Sequence, residues 1–213
     1  MTDVNHTAVL GAGVIGASWT ALFLASGRSV AVFDVSDTAE AQVRSYVEQA
    51  WPVLKDLGLT EKGNPDRVSF HKSAAAAVDG AQFIQESVPE RLNIKHELFA
   101  AIEPALALDA VVASSASGLT LGEMQAGWKN PGRFVLGHPF NPPHLIPLVE
   151  VMGNGRTADG VAEADYVSGR RCWWDLSAAA CFPSLAGRVP STVEAVSRRL
   201  TTLCDLYDKN SQI

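Results

Sequence analysis

Cysteine is scarce in this 213-residue sequence, and the three present, Cys172, Cys181 and Cys204, form no close pair. An odd number without a CxxC spacing argues against a disulfide framework and a zinc site, so no metal is expected. Positive charge is also in short supply. Lys and Arg number 17 against 23 Asp and Glu, for a net charge of −6. With no dense Lys/Arg cluster, no nucleic-acid partner is expected. No apolar run approaches the roughly 20 residues that span a bilayer, so no membrane partner is expected either. The start, Met-Thr-Asp-Val-Asn-His, lacks the basic and apolar stretches of a signal peptide, and a cytoplasmic location is the expectation.

What is present is ordinary for a globular chain: 47% hydrophobic and 19% charged residues. The length fits one domain, or one domain and part of a second.

Thr7-Ala-Val-Leu10 is an apolar run that ends at Gly11-Ala-Gly13-Val14-Ile15-Gly16. A helical stretch, Ala17 to Ala25, follows and Gly27 offers a stop. Val30-Ala-Val-Phe33 then reads as a strand closed by Asp34, completing one βαβ unit. Ser36 or Asp37 is the expected cap of the next helix, which Pro52 should kink or end. Strands are expected at Val68–Phe70, Gln82–Gln85, Ala110–Ser115, Phe134–Leu136 and Leu148–Val151. Helices are expected at Glu90–Ile102 and Leu121–Ala126. The alternation predicts an α/β fold of Rossmann type: a doubly wound, mainly parallel sheet with helices on both faces.

Gly11, Gly13 and Gly16 spell GxGxxG between a strand and a helix. Gly11 permits the tight turn, Gly13 lets backbone approach a pyrophosphate, and Gly16 lets helix pack on strand. The first helical residues, Val14 and Ile15, then offer free N–H groups to phosphate. Asp34 suits the two ribose hydroxyls and repels a 2′-phosphate, so the expected cofactor is NAD rather than NADP.

His138 opens Gly137-His-Pro-Phe-Asn-Pro-Pro-His-Leu-Ile-Pro-Leu-Val-Glu150 at the expected carboxyl edge of the sheet. A strand-loop-strand path can return Glu150 beside His138. A carboxylate on one imidazole nitrogen fixes the tautomer, leaving the other nitrogen to take a proton. On spacing alone, a satisfied loop histidine and a solvated glutamate are the better account of the pair. Ser114-Ser-Ala-Ser117-Gly118 ends another strand. Its hydroxyls can hydrogen-bond a substrate oxygen, or cap the next helix through Ser117 or Thr120.

These segments, with Gln85-Glu-Ser-Val-Pro-Glu-Arg-Leu-Asn-Ile-Lys95, resemble the 3-hydroxyacyl-CoA dehydrogenase superfamily over roughly residues 5–160. The nearest look is the branch of the carnitine 3-dehydrogenases and L-gulonate 3-dehydrogenases (lambda-crystallin). The resemblance implies NAD-dependent oxidation of a 3-hydroxy group on a small-molecule substrate, L-carnitine first. It also leaves room for a 3-hydroxyacyl-CoA or L-gulonate substrate, or for an inactive NAD-binding fragment or structural protein. It makes His138 the general base, Glu150 its acidic partner, and Ser117 and Asn141 the holders of the substrate oxygen. Glu90 and Lys95 then line the nicotinamide-ribose side of the cofactor cleft; without the resemblance they read as a helix-start acid and an exposed helix lysine. His96 and His144 match no catalytic position and read as surface or loop residues. Phe140 and Trp128 are conceivable walls for a trimethylammonium group.

The resemblance implies a second, helical domain that supplies a dimer interface. Its opening segment is not found after residue 164, where pattern and resemblance stop together. The expected division is therefore 1–164 as the NAD-binding domain and 165–213 as an atypical tail, read either as out of frame or as a genuine divergent or truncated start of the helical domain, with the family's homodimer not expected here.

Overall fold

The computed structural model describes residues 4–146, 149–158, 161 and 171–172. Strands run β1 (His6–Leu10), β2 (Ser29–Phe33), β3 (Val68–Phe70), β4 (Phe83–Glu86), β5 (Val111–Ser114), β6 (Phe134–Pro139), β7 (Val149–Met152) and β8 (Arg171–Cys172). Between them stand α1 (Val14–Ala25), α2 (Ala39–Asp56), α3 (Ala74–Val78), α4 (Leu92–Ile102) and α5 (Leu121–Gln125). All strands join one sheet in the order β3-β2-β1-β4-β5-β6-β7-β8. The first six in chain order are parallel, whereas β7 runs antiparallel to β6 and β8 to β7. This is the doubly wound, mainly parallel sheet that the alternation predicts.

The strands are apolar because both faces are covered. Val9, Val30, Val32 and Phe83 pack under α1 and α2 on one face. Ala8, Leu10, Ile84 and Val112 pack under α3, α4 and α5 on the other. Every residue of α1 from Gly16 to Ala25 is buried, as a helix apolar on all sides must be. α2 buries only the stripe Ala39, Val43, Val47, Ala50 and Leu54.

Four local expectations give way. α2 begins after Thr38, not Ser36 or Asp37; the Ser36 hydroxyl instead holds the turn before it, accepting from the Thr38 N–H. The same helix continues through Pro52 to Asp56. Pro52 and Glu48, whose carbonyl the proline cannot bond, both lie on the exposed side, while Ala50 and Leu54 stay buried around them. α3 was not expected, since an alanine run has no apolar periodicity; Ser73 starts it by accepting the Ala76 N–H. Trp128 is no wall of a cleft. It is 7% exposed and stacks on Phe99 at 4.8 Å in the core under α4 and α5.

The boundary near residue 164 and the tail 165–213, Arg171 and Cys172 apart, lie outside the described residues. Among the described residues no helix is long and apolar enough to cross a membrane.

Candidate active site

The chain runs from β1 out to β3 and returns as β4 on the other side of β1, so the glycine turn stands where the winding reverses. Ligands of open α/β sheets bind at such a point, beyond the carboxyl ends of the strands. Gly11 has φ +90°, and a Cβ there would meet the Ser87 backbone at 2.7 Å. A Cβ on Gly16 would lie 1.9 Å from the Gly11 carbonyl oxygen. On Gly13 it would meet nothing within 4 Å. The fold therefore needs glycine at 11 and 16, while the space over Gly13 is left open. No side chain caps the N-terminus of α1, and Val14 is 62% exposed there. Asp34 closes β2 beside this turn. Its Oδ2 accepts the Ala12 N–H at 2.6 Å and its Oδ1 the Ser36 N–H at 2.8 Å, which still leaves lone pairs on both oxygens. An open, uncapped helix start beside a fixed carboxylate fits the pyrophosphate and ribose of NAD.

The other half of the site lies at the carboxyl ends of β5 and β6. In the antiparallel register His138 stands directly opposite Glu150. Its Nδ1 is 3.5 Å from Glu150 Oε2, with both side chains partly open to solvent. Beyond β5, Glu90 accepts the backbone N–H groups of Ser117 (2.7 Å), Gly118 and Leu119 (3.2 Å), and the Ser117 hydroxyl at 3.3 Å. These bonds, the Gly118 N–H first, hold the Glu90 carboxyl below the usual carboxylate range. Ser117 is thus tied to Glu90. Thr120 forms the helix cap of α5, in a reciprocal box with Glu123. Asn141 is exposed and makes no side-chain hydrogen bond among the described residues.

Lys95 corrects the exposed-lysine reading: only 1% of it is accessible. Its ammonium donates to Glu86 Oε1 at 2.6 Å, Glu86 Oε2 at 2.8 Å and the Val88 carbonyl at 3.3 Å. Glu86 also accepts the Ser114 hydroxyl and the Val88 N–H. A buried ion pair with every proton and oxygen engaged joins β4, β5 and α4 under the site. Sequence reasoning missed Glu86. An acid closing a wholly buried strand, Phe-Ile-Gln-Glu, was the available signal, because such a charge needs a partner. Gln85 bridges the same strand ends, donating to the Ser115 hydroxyl and, at 3.4 Å, to the Gly137 carbonyl.

His144 lies in the loop between β6 and β7, one of the two placements expected, but it is buried there and not on the surface. It is 8% exposed, and its ring meets Tyr46 of α2 edge-on with centroids 5.6 Å apart. Its Nδ1 is 2.7 Å from the hydroxyl of Ser18 in α1, which also accepts the His144 N–H at 3.1 Å. Burial disfavours the charged ring and pushes the His144 pKa down to about 4, so the imidazole is neutral. His96, by contrast, is a surface residue bonded to the Glu123 carbonyl.

The L-carnitine dehydrogenase of Streptomyces griseus is 45% identical over 161 residues, 76% of this chain and 48% of that one. That of Burkholderia mallei is 44% identical over 164 residues, 77% and 51% of the two chains. The chain thus spans about half the length of the curated relatives it matches. Among solved structures, the NAD-dependent 5-formyl-3-hydroxy-2-methylpyridine 4-carboxylic acid 5-dehydrogenase superposes with a TM-score of 0.68. It is 34% identical, the match covering 75% of this chain and 52% of that one. Residues 6–168 match the model of the family described as 3-hydroxyacyl-CoA dehydrogenase, NAD binding domain. The open glycine cradle, its carboxylate and the sheet that carries them therefore have a family: the chain belongs to the NAD-binding domains of the 3-hydroxyacyl-CoA dehydrogenases.

Proposed function

We propose that the protein is an NAD-dependent dehydrogenase that oxidises a 3-hydroxy group, with L-carnitine as substrate. The observation that carries this reading is the His138–Glu150 pair, 3.5 Å apart across β6 and β7 at the carboxyl edge of the sheet. That spacing suits a catalytic pair that tightens when substrate arrives.

In this reading His138 is the general base. Glu150 holds the proton on Nδ1, which leaves Nε2 to take the proton of the C3 hydroxyl. Glu150 then steadies the imidazolium so formed. Ser117 and Asn141 hold the reacting oxygen, and Glu90 fixes the loop that presents Ser117. Bound NAD supplies the hydride acceptor. Gly11, Gly13, Val14, Ile15 and Gly16 receive its pyrophosphate, and Asp34 its adenosine ribose. Glu90 and Lys95 belong to the nicotinamide-ribose side, Lys95 through the Glu86 carboxylate and Val88 carbonyl that it holds. Residues 1–164 form the NAD-binding domain in this proposal, and 165–213 are set apart from it.

L-carnitine is favoured because the relatives at 45% and 44% identity are L-carnitine dehydrogenases. Phe140, two residues after the proposed base, is 44% exposed and can offer a ring face to a trimethylammonium group. A CoA substrate is a poorer fit on α2, where Arg44 is already paired with Glu40 and lies over the Phe70 ring. An inactive or purely structural role has no observation in its favour.

NADH formation by the 213-residue chain with NAD and L-carnitine tests the reading. His138→Ala is expected to lower kcat by about 100- to 10,000-fold. A chain that binds NADH but does not oxidise L-carnitine removes that substrate. Failure with L-gulonate and a 3-hydroxyacyl-CoA as well removes the reaction.

A further inference from the structure

His144 takes part in no step above, yet among the described residues between β6 and β7 it is the most thoroughly anchored side chain. The segment after Pro139 otherwise presents Phe140 and Asn141 to solvent. Its partner Ser18 lies one turn into α1, the helix whose first residues border the glycine turn. The other buried hydroxyl of that helix, Thr20, is satisfied within the helix by the Gly16 carbonyl. Ser18 instead reaches across 126 positions of chain to the His144 amide and ring. The Tyr46 hydroxyl of α2 closes the set, 3.5 Å from Nδ1. Packing alone would need only an apolar side chain here. Bonds from one hydroxyl to both the amide and the ring of one residue fix direction as well as contact.

We propose that His144 is a positioning residue: through Ser18 it clasps the β6–β7 segment to the cofactor helix, so that His138, Asn141 and the glycine turn keep one geometry. The inference rests on the assignment of that turn to NAD and of His138 to proton transfer. Its consequence is that occupancy of the turn steadies residues 140–146, and that loosening the clasp disturbs catalysis more than cofactor binding.

Amide hydrogen exchange on the full 213-residue chain, with and without NADH, tests the clasp without needing turnover. In the wild type, NADH is expected to slow exchange across residues 140–146 by about tenfold. Ser18→Ala and His144→Leu should lose most of that protection while the Kd for NADH stays within about threefold. The kcat for the hydroxy substrate should fall by about 10- to 100-fold in both, because a displaced base is costly. His144→Asn should restore much of both properties, since its side-chain amide can hydrogen-bond near the place of Nδ1. A merely structural histidine would not show that rescue. If His144→Leu does not fold, Ser18→Ala, which removes one oxygen, decides alone. Unchanged kcat and protection in folded variants, or no protection at 140–146 in the wild type, overturn the proposal. A wild type that shows the coupling but oxidises no 3-hydroxy substrate supports the clasp and defeats the reaction.

Discussion

Gly13 and Gly16 share one turn but answer to different demands. A methyl group on Gly16 runs into the Gly11 carbonyl, whereas on Gly13 it enters open space. Gly16→Ala is therefore expected to lower stability by about 1–3 kcal/mol or more, as overpacking against rigid backbone does. Gly13→Ala should change stability by less than about 0.5 kcal/mol and weaken NADH by about tenfold, since its cost falls on the bound pyrophosphate. Urea unfolding and a fluorescence titration with NADH separate the two effects. The reverse pattern would mean that the open space does not face the ligand. Lys95 makes a second residue-scale case. Lys95→Met leaves Glu86 buried without its counter-charge, at an expected cost of about 3–5 kcal/mol. Adding Glu86→Gln should recover a large part of that loss, and a double-mutant cycle in urea measures it.

The elements were legible in proportion to how local their causes are. The β1–turn–α1–β2 unit reads directly from glycine spacing and apolar runs that act over a few residues. The return of Glu150 to His138 was readable for a related reason. Strand register alternates faces, so a slip of one residue would turn Glu150 to the opposite side of the sheet. Lys95 and His144 were not readable, because their burial depends on Glu86 and on Ser18, partners that residue type and period do not announce. Pro52 misled in the opposite way. Local chemistry predicts a kink or an end, and the end does not come at Pro52, because the buried stripe on both sides of it holds α2 together. Pro52→Ala is thus expected to stabilise the protein, by about 1–3 kcal/mol, up to the helix-interior penalty of proline. A raised urea midpoint with an unchanged slope would bear this out; a lowered midpoint would mean that the proline ring itself is packed.

At the scale of the whole molecule, the neutral buried histidine sets a pH dependence. The pKa of His144 falls from the ordinary 6.5 to about 4 on folding. As pH drops through that window, the unfolded chain takes a proton that the folded chain refuses, so stability declines. The decline levels off below about 4 and amounts to at most roughly 3 kcal/mol. Urea midpoints at several pH values should show this slope in the wild type and a flatter one in His144→Asn; equal slopes would assign the loss to other groups. The sheet order carries a consequence of another kind. β1 lies between β2, which follows it closely, and β4, which comes much later in the chain. The glycine turn is built at that seam: the Gly11 N–H bonds the Phe33 carbonyl, and the Ser87 N–H bonds the Leu10 carbonyl. Closing so long a stretch of chain is slow, and contacts of this reach place folding on a scale of milliseconds to seconds. During refolding, helix signals should therefore recover before the capacity to bind NADH, which can return only when the two arms of the sheet have met.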